Sequence, residues 1–292
     1  MNVVITIPAY NEEDTLGRVI SDIKKVMGKT KYKYNILVVD DGSKDKTKEI
    51  AEKVGAIVYS HPKNYGLAET FKTEMEKCVS LDADIIVHTD ADCQYLAQDI
   101  PRLIKEVENG NALVLGSRFL GHIEHMPFLR RYGNMAFSRV ISNITGIKIT
   151  DAQTGFRAFT KDVAKKIKII SNFTYTQEQI IKASKQKFKI KEVAIDTKKT
   201  RKSKLMKNPF DFAIKAGINL LRIYRDYTPL KFFGAIGGTF FMIGFLIGVW
   251  LLYLFLTTGN VGHIPSVILS VLFMVMGAQI ISFGFLADMN RK

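Results

Sequence analysis

From Phe232 to Ala287 the chain carries no Asp, Glu, Lys or Arg, a run of 56 residues that restricts its possible folds more than any other feature. The stretch Thr257-Thr258-Gly259-Asn260-Val261-Gly262-His263-Ile264-Pro265 divides this run into two apolar segments, about 234–256 and 265–286. Each is long enough to cross about 30 Å of hydrocarbon as a helix. Apolarity on every helix face, twice over, marks helices that face lipid rather than the core of a soluble domain. The sequence therefore predicts two transmembrane helices within 232–287, joined as a hairpin. The Gly234–Gly238 and Gly244–Gly248 spacings permit close helix packing.

Charge around the hairpin sets its expected orientation. Lys161 to Lys207 holds fifteen Lys or Arg against four Asp or Glu, Arg291 and Lys292 follow the second segment, and the loop between the segments has neither Lys nor Arg. By the positive-inside rule, the domain ahead of the hairpin and both termini are expected to be cytoplasmic, in a multi-pass protein of the cell membrane. A basic block beside a membrane anchor suits anionic lipid head groups better than nucleic acid. Residues 208–231 read as an amphipathic juxtamembrane segment, with Phe210, Phe212, Ile214, Ile218, Leu221 and Tyr224 expected along the interface. Cys78 and Cys93 have no metal or redox spacing, and Asn2 to Pro8 reads as folded core rather than as a leader.

Residues 1–207 have an α/β pattern. Apolar strand-like runs at Val3–Ile7, Asn35–Val39, Ala56–Tyr59, Asp84–His88 and Ala112–Leu115 alternate with helical patterns at Thr15–Met27, Asp45–Val54, Leu67–Ser80 and Gln98–Glu108. Such alternation implies a mainly parallel sheet with helices on both faces, whose ligands bind outside the carboxyl ends of the strands. The polar signals fall there: Tyr10 to Glu12, Asp40 to Ser43, Asp90 to Asp92, and Gly116 to Arg118.

Asp90-Ala91-Asp92-Cys93-Gln94 offers two carboxylates and an amide oxygen off one strand end. Mg²⁺ and Mn²⁺ prefer such hard oxygen ligands and share their coordination with substrate phosphates. Asp41 follows a buried strand and could accept hydrogen bonds from a base or ribose, while Asp45 or Ser43 could cap the next helix. Tyr10 and Glu12, an aromatic face and a carboxylate, suit a nucleobase. His88 reads as a packed strand residue. Asp151 reads as either a catalytic group or the ion-pair partner of Arg157 or another arginine.

These residues resemble the family-2 glycosyltransferases of the GT-A fold. Ile7-Pro8-Ala9-Tyr10-Asn11-Glu12-Glu13 is similar to the opening signature of that family, Val38-Val39-Asp40-Asp41-Gly42-Ser43 to its second, and Asp90-Ala91-Asp92-Cys93-Gln94 to its metal motif. Gly116-Ser117-Arg118-Phe119 and Asp151-Ala152-Gln153-Thr154-Gly155-Phe156-Arg157-Ala158-Phe159 resemble the polyprenyl-phosphate sugar synthases, the dolichyl-phosphate mannose synthase type among them. The resemblance implies that Pro8, Tyr10, Glu12 and Asp41 hold the nucleoside. It implies that Asp90, Asp92 and Gln94 position Mg²⁺ or Mn²⁺ on the diphosphate, with Ala91 lending backbone contact. Arg118 and Arg131 would face the lipid phosphate or the diphosphate, Arg201 and Lys204 would close over the nucleotide, and Glu178 would lie near the sugar.

The expected reaction is inverting transfer of a hexose from GDP-mannose or a UDP-sugar to polyprenyl or dolichyl phosphate. Its partners would be the donor, the lipid phosphate and the membrane, without nucleic acid and with oligomerisation open. A transferase acting on a lipid-linked glycan or a glycerolipid is the alternative. A processive polysaccharide synthase would need more membrane helices and a Gln-x-x-Arg-Trp motif; the only tryptophan, Trp250, lies inside the first apolar segment. A non-enzymatic, membrane-anchored nucleotide-binding protein is the remaining reading.

Overall fold

The computed structural model describes residues 1–170, 175–198, 217–218, 221–260 and 264–289. Contacts divide the chain into Met1–Asn208 and Pro209–Lys292.

The first unit is built on a seven-stranded sheet of order β3-β2-β1-β4-β6-β5-β7. Its strands are β1 (Asn2–Ala9), β2 (Lys33–Asp40), β3 (Ile57–Ser60), β4 (Ile85–His88), β5 (Leu113–Ser117), β6 (Arg157–Thr160) and β7 (Ile190–Ala194). Only β6 runs against its neighbours β4 and β5; all other pairings are parallel. The carboxyl ends of β1, β2, β4 and β5 therefore share one sheet edge, and the start of β6 joins them there.

Period-2 alternation sends the strand side chains to two covered faces. Val3, Ile5, Ile7, Val38, Val87 and Val114 pack with helices α1 (Leu16–Met27) and α4 (Ile100–Glu108). Helix α1 buries Leu16, Val19, Ile20, Ile23 and Met27, the apolar stripe its sequence predicts. The other face takes α3 (Leu67–Ser80) and α6 (Lys161–Lys166), and its interior is partly polar. There Thr6 Oγ1 donates to Glu74 Oε1 at 2.9 Å, and Glu74 Oε2 lies 3.2 Å from His88 Nε2. Helix α2 (Thr47–Lys53) starts two residues later than expected. Asp45 does not cap it from the N-cap position; its carboxylate accepts from Thr47 N at 3.0 Å and from the Thr47 hydroxyl, tying down the preceding turn. Two more helices, α5 (Phe128–Thr145) and α7 (Thr176–Lys185), pack together.

The second unit contains α8 (Pro229–Thr258) and α9 (Ile264–Met289), both long and apolar enough to cross a membrane. Small residues on α8 and α9 bring the two helices close: Ser270 Oγ donates to Gly244 O at 2.7 Å, and a Cβ at Gly237 would stand 2.6 Å from Gly277 O. Gly234 and Gly238 instead face open space, so the first of the two expected glycine spacings is not the one that packs α8 on α9. Of the expected interfacial stretch, Phe210, Phe212 and Ile214 lie outside the described residues; Ile218 and Leu221 are exposed.

Candidate active site

Three loops leave the carboxyl ends of β1, β2 and β3 and lock together. Asn11 turns the chain in the left-handed region (φ 53°); its backbone N donates to Ser43 Oγ and its Oδ1 accepts from Lys44 N, both at 2.9 Å. Glu12 N donates to Thr47 Oγ1 at 2.8 Å, and Glu12 Oε2 accepts from Thr15 Oγ1 at 3.0 Å. Pro8 pairs with Val39 in the sheet, and Tyr10 projects with 41 % exposure. Tyr10, Gly42, Ser43, His61, Lys63 and Asn64 line an open recess between the loops.

Asp41 sits beneath that recess, and its carboxylate is turned to protein donors. Oδ1 accepts from Tyr65 N at 2.9 Å and meets His61 Nδ1 at 2.8 Å; Oδ2 accepts from Gly66 N at 2.8 Å. Its immediate partners are thus the 61–66 loop, where the sequence suggested a base or ribose. His61 Nε2 in turn meets Thr73 Oγ1 at 2.9 Å.

Beyond β4, Asp90 and Asp92 flank Ala91, which is buried in the core. Burial raises the pKa of Asp90 to about 6; His88 and Arg118 pull it down, and the Asp92 carboxylate pushes it up. Among the described residues neither Asp90 oxygen accepts a hydrogen bond, while Asp92 Oδ1 accepts from Gln94 N at 3.0 Å. Cys93 between them is left-handed (φ 60°), and Gln94 is buried. Among the described residues no three His, Cys, Asp or Glu side chains form a ready metal cage. A crowded, like-charged carboxylate pair still fits Mg²⁺ or Mn²⁺ bound by one or two carboxylates together with substrate phosphates.

The segment that leads into β6 closes over Asp90. A Cβ at Gly155 would lie 2.9 Å from both Asp90 oxygens. Gly155 is fixed by Tyr95 Oη, which accepts from its N at 3.0 Å, and by His88 Nδ1, 2.8 Å from its O. His88 is fully buried; burial opposes its protonation, but Glu74 and Asp90 outweigh that and raise its pKa. It is a packed strand residue, as expected. Arg157 is buried as well: its Nη1 donates to Thr176 O at 3.1 Å and Gln179 Oε1 at 2.8 Å, and its Nη2 to Thr154 O.

Arg118, just after β5, is held by Asp151 of the loop that leads into β6. Nε donates to Oδ2 at 2.6 Å, Nη2 to Oδ1 at 2.8 Å and the Arg118 backbone N to Oδ2 at 3.1 Å. Asp151 is therefore the partner of Arg118, not of Arg157. Burial alone would lower the Arg118 pKa; Tyr95, Asp151 and Asp90 raise it, so the guanidinium stays charged. Glu192 on β7, which sequence reasoning overlooked, accepts from Thr150 N at 2.9 Å and Asp151 N at 3.0 Å and sets the height of this loop.

Arg130 is the other overlooked residue. Burial lowers its pKa, the like charge of Arg118 lowers it further, and Asp92 and Asp151 oppose the change. Arg130 therefore faces the Arg118 cluster, whereas Arg131 is exposed on the outer side of α5. Helical phase carries the signal: Arg130 shares a face with Asn134, Phe137, Ser138 and Ile141, all four buried. Glu178 is buried on α7, where Oε1 accepts from Ile170 N at 2.9 Å and pairs with Lys182 Nζ at 2.7 Å. Arg201 and Lys204 lie outside the described residues.

Residues 4–168 match the family described as glycosyl transferase family 2. The dolichyl-phosphate hexose transferase of Haloferax volcanii is 30 % identical over 76 % of this chain and 93 % of its own length. The UDP-N-acetylglucosamine–dolichyl-phosphate N-acetylglucosaminyltransferase of Methanococcus voltae is 31 % identical over 67 % and 85 %. Among solved structures, glucosyl-3-phosphoglycerate synthase from Mycobacterium tuberculosis, in complex with Mn²⁺, UDP-glucose and phosphoglyceric acid, superposes with a TM-score of 0.60 at 17 % identity, covering 76 % of this chain and 78 % of its own. That likeness fixes the fold as GT-A. With the strand-end motifs gathered on one sheet edge and the family match spanning most of the sheet, this chain belongs to glycosyl transferase family 2.

Proposed function

We propose that the chain transfers a hexose from a nucleotide diphosphate sugar to a polyprenyl monophosphate of the dolichyl type, with inversion at the anomeric carbon. The observation that carries this reading is the meeting of opposite charges beyond one sheet edge: Asp90 lies within electrostatic reach of Arg118, and Asp92 within reach of Arg130. Two relatives named for dolichyl phosphate support the acceptor; one is named for a hexose and the other for UDP-N-acetylglucosamine, and the donor is taken as GDP-mannose or a UDP-sugar.

The chain's own groups suit an acceptor that is already ionised. A phosphate monoester attacks without first losing a proton, so it needs cations to approach an anionic donor rather than a general base. Both Asp151 oxygens are engaged by Arg118, which fits orientation of the guanidinium better than proton removal. Arg118 uses Nε and Nη2 on Asp151, and among the described residues no acceptor meets Nη1. That donor and the Arg130 guanidinium would take the acceptor phosphate by charge-assisted hydrogen bonds. Asp90 and Asp92 would hold a divalent cation, Mg²⁺ or Mn²⁺, which when bound supplies Lewis-acid neutralisation of the departing diphosphate. Tyr10 and the recess beside it would seat the nucleoside. The two apolar helices would anchor the chain with its catalytic unit on the cytoplasmic side, where the basic residues concentrate.

The test uses purified full chain, a polyprenyl phosphate, labelled GDP- and UDP-sugars and Mg²⁺ or Mn²⁺. The expected product is a labelled lipid that releases its sugar in mild acid, as a sugar phosphodiester does. An acid-stable glycoside, or transfer only to a glycolipid, would overturn the acceptor assignment.

A further inference from the structure

Helix α5 turns Arg130 inward, yet the first half of its outer face is apolar. Phe128 is 73 % exposed, Tyr132 55 % and Met135 48 %, and the Phe128 and Tyr132 rings touch, tilted at 50° with centroids 4.3 Å apart. Leu120, in the turn after Arg118, adds another half-exposed side chain. Soluble surfaces scatter single apolar residues; two contacting aromatics beside a methionine on one helix face form a patch. The same outer face carries Arg131 and Arg139, and α5 contains no acidic residue at all.

We infer that the outer face of α5 docks on the surface of an anionic bilayer. Phe128, Tyr132 and Met135 enter the boundary between head groups and acyl chains, while Arg131 and Arg139 bind lipid phosphates. An apolar stripe flanked by arginines and free of acids is the pattern of an interfacial helix, and it complements an anionic leaflet in charge. A second copy of this chain would bring arginine against arginine across a two-fold axis, which disfavours self-association. The inference deepens the proposed reaction and rests on its acceptor being a membrane lipid. A helix seated this way holds Arg130, and through it the Arg118 cluster, at the level of lipid phosphates.

The experiment uses full chain in nanodiscs of anionic phospholipid. In a Trp250→Phe background, the fluorescence from Phe128→Trp is expected to fall roughly twofold with lipids brominated in the upper acyl chain, and that from Glu52→Trp to stay constant. The double variant Phe128→Ser/Tyr132→Ser is expected to raise the KM for a long-chain, bilayer-embedded acceptor about tenfold, through lost apolar burial. Its donor KM and its turnover on a short, detergent-dispersed polyprenyl phosphate should match the parent. Unquenched fluorescence at position 128 overturns the inference, whether the chain is monomeric or crosslinks to a second copy through α5. Quenching without transfer to any polyprenyl phosphate leaves the docking face standing and removes the acceptor assignment instead.

Discussion

Asp151 grips Arg118 at two points, with Nε–Oδ2 at 2.6 Å and Nη2–Oδ1 at 2.8 Å, and both side chains are almost wholly buried. Removing one partner of such a pair leaves an uncompensated charge, which costs about 3–5 kcal/mol, whereas replacing both by apolar groups is far less costly. Asp151→Leu should therefore lower stability in denaturant titrations by about that amount. Arg118→Met combined with Asp151→Leu should recover most of the stability and none of the transfer activity. A double variant as unstable as the single one would mean that the pair is not the main tie at this loop.

Gly155 separates folding from metal use. A Cβ there would press on both Asp90 oxygens at 2.9 Å, and overpacking of this kind typically costs about 1–3 kcal/mol. The backbone itself accepts a side chain, since Gly155 is not among the positive-φ glycines. Gly155→Ala is expected to fold, but to need about ten times more Mn²⁺ for half-maximal activity, the equivalent of 1.4 kcal/mol. An unchanged Mn²⁺ activation curve would detach Asp90 from the metal.

Neighbouring arginines on α5 should behave differently. Arg130 faces Arg118 and Asp92, and Arg131 does not. A charged hydrogen bond contributes about 1.5–3 kcal/mol, so Arg130→Gln should reduce kcat/KM for the lipid acceptor roughly 10- to 150-fold. Arg131→Gln should change it much less. Equal losses would show that α5 is rotated from the orientation described.

That pair also shows what the residues alone conveyed. The apolar runs of β1, β2 and β4 are bounded by turns and were readable as strands, and so was the shared edge on which their polar ends meet. Strand β6 was not: Arg157 to Thr160 looks like the tail of a motif, and its antiparallel insertion between β4 and β5 is decided by pairing partners far away in sequence. The Arg118–Asp151 contact spans 33 residues, so both groups were visible as candidates while their pairing was not. That Arg130 rather than Arg131 turns toward Arg118 and Asp92 was hidden for a different reason. The phase of α5 follows from which of its faces meets the protein, and a helix with apolar residues on two faces gives no single answer from sequence.

The hairpin offers a test independent of catalysis. A Cβ at Gly277 would stand 2.5 Å from Phe241 N and 2.6 Å from Gly237 O, so any larger side chain forces α8 and α9 apart. Gly277→Ile should lower the thermal midpoint of the second unit and increase protease cleavage near Gly259. Gly234→Ile, which points into open space, should do neither.

Asp41 separates a structural role from ligand contact. Its two oxygens take Tyr65 N, Gly66 N and His61 Nδ1, and an Asn there presents an NH₂ to at least one of these donors. An unsatisfied buried donor costs about 1–3 kcal/mol, so Asp41→Asn should loosen the 61–66 loop. Amide exchange of Tyr65 and Gly66 should then rise in the free enzyme, before any nucleotide is added, and the donor KM should rise with it. If donor affinity fell while exchange of the two amides stayed slow, the carboxylate would be acting on the nucleoside directly rather than through the loop.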